Sequence, residues 1–396
     1  MNKSSPSNAA ETKEAAYPGT GIYIHFPFCT KRCPYCSFFS LTDPSLKPLY
    51  HELLLAEIER TSEYFPDLFP SVDTIYLGGG TPSLMPVFAV DEVLTSIRCL
   101  FDFGLEWKDL EITLEANPEH LETGYLRELR SVGVNRLSIG AQRFDDAKLK
   151  LLGRAHSVKE TFEGYENARE AGFENISLDF IAGIQNDTPD AVEKELRAIK
   201  ELAPQHVSAY LLEIKDGTDF SGIDERKFPD DYLTAKIYLK IIDVLSGYGY
   251  EQYEISNFAR AGYRSKHNLK YWSGMPWLGL GASAASCSLN ARWVHPQSIE
   301  EYRDFVISPD FRIPPAQAEA EPQKLAEEEF FMSMRKTEGV DLQKFAEKWG
   351  FDPTEGKESL IDVYIEEKLL IRGGRKIRLT PGGFLLSNEL LSEFIS

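Results

Sequence analysis

Through the first two thirds of the chain, short runs of β-branched and aromatic residues alternate with longer stretches whose apolar positions recur every three to four residues. The first pair is a strand over residues 21–26 and a helix over 46–64. The unit repeats as strand 72–77 with helix 87–100, strand 110–114 with helix 124–132, and strand 135–139 with two helical stretches ending near 171. Strands over 176–181 and 206–214 continue the series. Between them Thr188-Pro189 supplies an N-cap and a first-turn proline for a helix to about 202, and a helix over 232–246 follows. Six consecutive strand-helix units imply an α/β protein with a parallel sheet covered by helices, doubly wound or curled into a full or partial barrel. In each of these, functional groups belong in the turns after the strands. From residue 314 the pattern changes to helices over 319–336, 342–349 and 355–368, a strand over 376–380 and a last helix. That order predicts a small C-terminal helical, winged-helix-like domain. The expected division is a disordered leader at 1–16, a core at 17–250, a connecting region at 251–313 and the helical domain at 314–396.

Composition narrows the class. With 396 residues, 42% hydrophobic and 27% charged, the chain is long enough for two or three domains. A formal net charge of −19 argues against phosphate-backbone binding, so no nucleic-acid partner is expected. The uncharged run near 271–291 is too polar for a membrane span, and residues 1–16 lack the apolar stretch of a secretory signal; the expected location is the cytoplasm. Five cysteines, three of them at Cys29, Cys33 and Cys36, do not suit a disulfide framework.

Those three cysteines follow the first strand in the spacing Cys-x3-Cys-x2-Cys. Three thiolates on one loop suit a [4Fe-4S] cluster with one iron left open, whereas structural zinc wants a fourth ligand and commonly a second pair. After the second strand comes Gly78-Gly79-Gly80-Thr81-Pro82, which lacks phosphate-loop spacing and reads by itself as a tight turn. Glu115, Gln142, Arg154 and Asp179 stand at or near later strand ends, where a lone polar residue is most often a cap or half of an ion pair. A further feature is a gap in acidic residues: from 255 to 299 there is no Asp or Glu, while Arg260, Arg264, Lys266, Lys270 and Arg292 occur among Tyr263, Tyr271, Trp272 and Trp277. A basic, aromatic island of this kind suits a flat apolar ring bearing carboxylates.

The cysteine triplet, with Tyr35 inside it, resembles the radical S-adenosylmethionine (SAM) superfamily. That resemblance implies a partial (β/α)6 radical SAM barrel, a cluster whose open iron chelates SAM, a 5′-deoxyadenosyl radical, and an electron donor for the cluster. Within it, the strand-end residues resemble the anaerobic coproporphyrinogen oxidase group. There Gly79, Gly80 and Thr81 would meet the methionyl amino group, Tyr23 would stack by the cluster, Glu115 and Arg154 would meet the carboxylate or amino ends, and Gln142 and Asp179 the ribose side. Oxidases of that group add a cysteine where this chain has Phe38. Instead, His267-Asn268-Leu269-Lys270-Tyr271-Trp272 and Leu379-Thr380-Pro381-x-Gly383-x-Leu385-Leu386-Ser387-Asn388 resemble the haem-chaperone family. The implied haem contacts are His267, Asn268 and Trp272, with His267 as axial ligand, and the implied acceptors are haem-requiring apoproteins such as respiratory-chain components. Relatives often have a second histidine where this chain reads Ala284-Ala285-Ser286, and His25 is a further candidate ligand. Cys99 and Cys287 read as buried small residues. The rival reading is an oxygen-independent coproporphyrinogen oxidase; an RNA-modifying radical enzyme is disfavoured by the charge.

Overall fold

The computed structural model describes residues 19–64, 69, 71–288, 291–311 and 321–394. The expected leader and the expected boundary at 314 lie outside them. The repeating units are β1 (Thr20–Phe26), α1 (Lys47–Tyr64), β2 (Val72–Gly79), α2 (Val87–Leu100), β3 (Glu111–Ala116), α3 (Thr123–Ser131), β4 (Arg136–Gln142), α4 (Asp146–Leu151), α5 (Val158–Glu170), β5 (Asn175–Ala182), α6 (Pro189–Leu202), β6 (His206–Leu211) and α7 (Asp231–Gly247). Strands β1 to β6 pair in chain order, all parallel. They are buried on both faces, as a parallel sheet under crossover helices must be, with Ile22, Ile24, Ile75, Leu77, Ile112, Leu114, Leu137 and Leu178 all inaccessible on the helix side. The helices start where the sequence supplies caps: Ser157 and Glu160 close a capping box on α5, and Thr188 accepts from Ala191 N ahead of Pro189.

Residues 251–313, expected as a connection, supply both edges of the sheet. They form β7 (Glu251–Gln252), β8 (Asn257–Ala259), α8 (Lys266–Trp272), β9 (Trp277–Leu280), β10 (Ala285–Cys287), β11 (Arg292–Val294) and α9 (Ile299–Ile307). The eleven strands run β11-β10-β9-β1-β2-β3-β4-β5-β6-β8-β7, an open barrel whose outer strands are short. The C-terminal part contains α10 (Pro322–Ser333), β12 (Val340–Asp341), α11 (Leu342–Trp349), α12 (Glu358–Glu366), β13 (Leu370–Gly373), β14 (Lys376–Leu379), α13 (Pro381–Leu385) and α14 (Ser387–Ser392). Its three-stranded sheet, β12-β14-β13, with the helices around it gives the winged-helix-like form.

Polar residues on the inward side of the strands fill the barrel, and α8 packs against β1 and β2 at their N-terminal halves. Space there is tight: a Cβ on Gly21 would stand 3.0 Å from His267 Cε1 and from Lys270 Cδ. Among the described residues, no helix is long and apolar enough to cross a membrane.

Candidate functional site

At the C-terminal ends of β1 to β6 lies a cavity of about 370 Å³. Cys29, Cys33, Tyr35, Cys36, Gly79, Gly80, Thr81, Glu115, Gln142, Arg154 and Asp179 all line it, so eleven positions spread over 151 residues converge on one space. The topology explains this, because parallel strands carry every βα turn to the same end. The cysteine loop leaves β1 and is tied down by the hydrogen bond from Cys36 N to Cys33 O. Thr81 Oγ1 lies 3.4 Å from Cys29 Sγ, and Arg154 Nη1 lies 3.7 Å from Cys33 Sγ. Burial pushes the Cys29 and Cys36 thiols up. Metal coordination would reverse that by deprotonating them.

Three half-exposed thiols that line one cavity suit the chemistry of a cluster that takes one thiolate per iron. Two further atoms point to a polar cofactor beside it: Gln142 Oε1 and Arg154 Nε are buried without a hydrogen-bond partner.

The remaining groups are held firmly. Glu115 accepts from the Tyr76 hydroxyl at 2.8 Å and from Gly79 N at 3.2 Å; burial, with the nearby Asp179 carboxylate, pushes its pKa up to about 7. Asp179 is also raised by burial and accepts from Ser138 Oγ at 3.1 Å. Arg154 donates to Asn117 Oδ1 at 2.5 Å and to Gly140 O at 3.2 Å. Gln142 takes φ +60° at the end of β4, an uncommon conformation for a residue with a side chain. The next residue, Arg143, is wholly buried and clamps Asp187 through two hydrogen bonds of 2.7 and 2.9 Å, with Glu195 and Lys148 completing the cluster. The glycine run has a local steric reason: Gly79 has φ +110° and its Cβ would fall 2.7 Å from the His25 ring, while a Cβ on Gly80 would meet Phe28 O at 2.8 Å.

The other expected residues lie elsewhere. Tyr23 does not line the cysteine cavity; it lines a neighbouring one with His25, its hydroxyl 3.0 Å from His25 Nδ1. His267 is 1% exposed inside the barrel. Its Nδ1 is 2.9 Å from Thr74 Oγ1, its Nε2 is 2.9 Å from the Tyr271 hydroxyl, and its ring stacks on Tyr76. Burial pushes it down to about 3, so it is neutral. Both ring nitrogens are engaged in hydrogen bonds in this conformation, so axial ligation by His267 would require Thr74 or Tyr271 to release one of them. The expected basic island is likewise corrected. Arg264 pairs with Glu338 at 2.9 Å, Lys270 with Asp73 at 2.6 Å and Arg292 with Glu328 at 3.1 Å, so acids distant in sequence supply the counter-charges. Trp272 faces the C-terminal domain, under Arg335 and with its carbonyl accepting from Ser333 Oγ, and the neighbouring Asn268 on α8 is half-buried. Cys287 is buried as expected, but Cys99, near the end of α2, is exposed.

Sequence reasoning missed Asn117, Ser138 and Tyr210, which also line the cysteine cavity. Tyr210 is next to the end of β6, where the strand-end rule applied to Glu115 would have found it, whereas Ser138 lies in the first half of β4 and carries no such signal.

Residues 23–199 match the model of the radical SAM superfamily, and residues 320–386 match that of the HemN C-terminal domain. The chain is 34% identical to "Heme chaperone HemW" of Bacillus subtilis, over 94% of this chain and 98% of that protein. The chain belongs to the HemW family. A HemW of Haemophilus influenzae is 32% identical over 96% of this chain and 98% of its own length. The solved structure of coproporphyrinogen III oxidase (HemN) from Escherichia coli superposes with a TM-score of 0.81 at 23% identity, covering 96% of this chain and 92% of that one, which establishes a shared fold. HemW membership and the radical SAM core thus agree with the thiol-lined cavity at the strand ends.

Proposed function

We propose that this HemW-family protein binds haem as cargo and delivers it to haem-requiring apoproteins, such as respiratory-chain components, in the cytoplasm. In this reading Cys29, Cys33 and Cys36 hold a [4Fe-4S] cluster. SAM occupies the rest of the cavity against Gly79, Gly80, Thr81, Glu115, Gln142, Arg154 and Asp179, and an electron donor serves the cluster. The observation that carries the reading is full-length similarity to proteins named heme chaperone, in a chain that keeps the complete thiol-lined cavity. When bound, the cluster and SAM supply one-electron chemistry. The chain's own contribution is positioning. Arg154 ties the Cys33 side of the loop to β4 through Gly140 O, the Tyr76 hydroxyl orients Glu115, and Ser138 orients Asp179.

Phe38, where coproporphyrinogen oxidases would add a cysteine, is 64% exposed at the edge of the cavity, so no fourth thiol follows the triplet. The test is anaerobic reconstitution of the full chain, followed by haem titration and a coproporphyrinogen assay on the same sample. Stoichiometric haem uptake without coproporphyrinogen turnover is the expected result. Turnover with SAM consumption would establish the oxidase instead.

A further inference from the structure

Beside the cysteine cavity, between the start of the cysteine loop and β9–β10, lies a second cavity of about 640 Å³. Small-molecule sites span roughly 300–1,000 Å³, so it can take a large planar ligand. Its walls include the aromatic residues Tyr23, Phe38, Phe39, Tyr271 and Trp277, and among the described residues that line it Arg32 is the charged one. Among the described residues that line it none is acidic, in a chain with 62 acidic residues. Arg32, Ser37, Phe38 and Ser40 also line the cysteine cavity, so the two spaces share a wall.

The cavity is a built feature of the fold. Tyr271 and Trp277 meet edge-to-face at 4.8 Å, and Trp277 Nε1 is fixed to Ala285 O at 3.0 Å. The rim residue Ser283 has φ +65°. That strained turn is pinned from behind by Glu57, a fully buried carboxylate that accepts from Gly281 N at 2.7 Å and from the Tyr302 hydroxyl at 2.6 Å. Backbone strain held in place by a buried polar group is a costly way to shape a surface, and it is commonly found where a ligand is received.

Taking the haem-cargo reading above as given, we infer that the tetrapyrrole ring lies in this second cavity, stacked on Trp277, Tyr271 and Phe38, with a propionate at Arg32 and no axial bond from His267. Aromatic faces supply sequence-independent stacking for a conjugated ring, and a guanidinium pairs with a carboxylate by charge-assisted hydrogen bonds. His267 lies behind Tyr271 with both nitrogens satisfied. A carrier that leaves the iron free of a strong protein ligand can yield the ring to an acceptor that supplies one.

The experiment uses the full chain and two probes, haem and iron-free protoporphyrin IX, followed by absorbance and by quenching of tryptophan fluorescence. The parent should bind both rings with dissociation constants within about fivefold of each other. Phe38→Ser, at an exposed position, and Arg32→Glu should each weaken both rings about tenfold or more, and Trp277→Leu further. His267→Gln should retain parental haem affinity and Soret position. A parent that binds haem but not the iron-free ring, or a His267→Gln variant that loses haem while Phe38→Ser and Arg32→Glu bind normally, would place the ring elsewhere and leave the cargo reading standing. A parent that binds neither ring would overturn the cargo reading itself.

Discussion

Cys33 is the thiol that Arg154 touches, and it sits in the middle of the triplet. Cys33→Ala should leave two thiolates, too few to retain three irons; iron and acid-labile sulfide after reconstitution should fall below about a fifth of the parental content. Glu115 yields a pH prediction whose sign follows from its burial. Its pKa is raised from 4.5 to about 7, so the folded state holds the proton more tightly than the unfolded chain. Stability of the cofactor-free protein from this group is therefore present below pH 4.5 and is lost as pH rises through 7, on the order of 3 kcal/mol in all. Glu115→Gln should remove that slope in urea melts at pH 5 and pH 8. If the amino group of SAM faces this carboxylate, binding favours the ionised form; SAM affinity should weaken about tenfold per pH unit below 7 and level off above it, and Glu115→Gln should flatten the profile. The strand-end carboxylates were legible in the sequence because strand ends in such folds converge. Their raised pKa values were not, because burial depends on partners such as Tyr76 and Ser138 from neighbouring strands.

The alternation of period-two and period-3.6 runs marked every element from β1 to α7, often to within one or two residues, because each is long enough to show its period. Strands β7 to β11 are two to four residues long and carry no readable period; β9 forms against β1 and β8 against β6, and β10, β11 and β7 pair in turn with these short strands. The segment of helix α8 was visible as a motif, but its place inside the barrel was not. Seven residues long, it is held by Ser265 as N-cap and by the Glu111 carboxylate, which accepts from His267 N at 3.0 Å and Lys266 N at 3.2 Å. A carboxylate from β3 is thus the anion at this helix start. The acid-free stretch that suggested a free basic patch instead reflects counter-charges brought from β2, β3 and the C-terminal domain. Glu111→Ala should speed amide exchange at residues 266–270 at least tenfold and cost about 2 kcal/mol, measured by hydrogen-exchange mass spectrometry and urea melts. His267→Ala should cost about 2–4 kcal/mol through the void and two lost hydrogen bonds while leaving the cluster content unchanged.

At the scale of the molecule, the C-terminal domain is joined to the barrel through the same helix. Ser333 Oγ donates to Trp272 O at 3.1 Å, Lys336 Nζ reaches Ser273 Oγ at 3.0 Å, and Arg335 lies over the Trp272 ring. From the barrel side, Tyr238 of α7 enters the domain's apolar cluster with Ala326, Phe330 and Phe384, while its hydroxyl donates to Ile255 O at 2.7 Å. Helix α8 is therefore clamped between Glu111 on one side and α10 on the other, and Tyr271 at its end forms a wall of the larger cavity. Such a clamp would couple the domain to the barrel as one cooperative unit and hold the cavity wall in place. Tyr238→Ala removes a 3% exposed ring from that junction and should cost about 3–5 kcal/mol. Because the junction belongs to both parts, hydrogen-exchange protection should drop together in α10 and in the β8–α8 segment, and protoporphyrin IX should bind more weakly through the loosened Tyr271 wall. Loss of protection confined to residues 321–394, with the ring bound as in the parent, would show instead that the domain folds separately and leaves the cavity untouched.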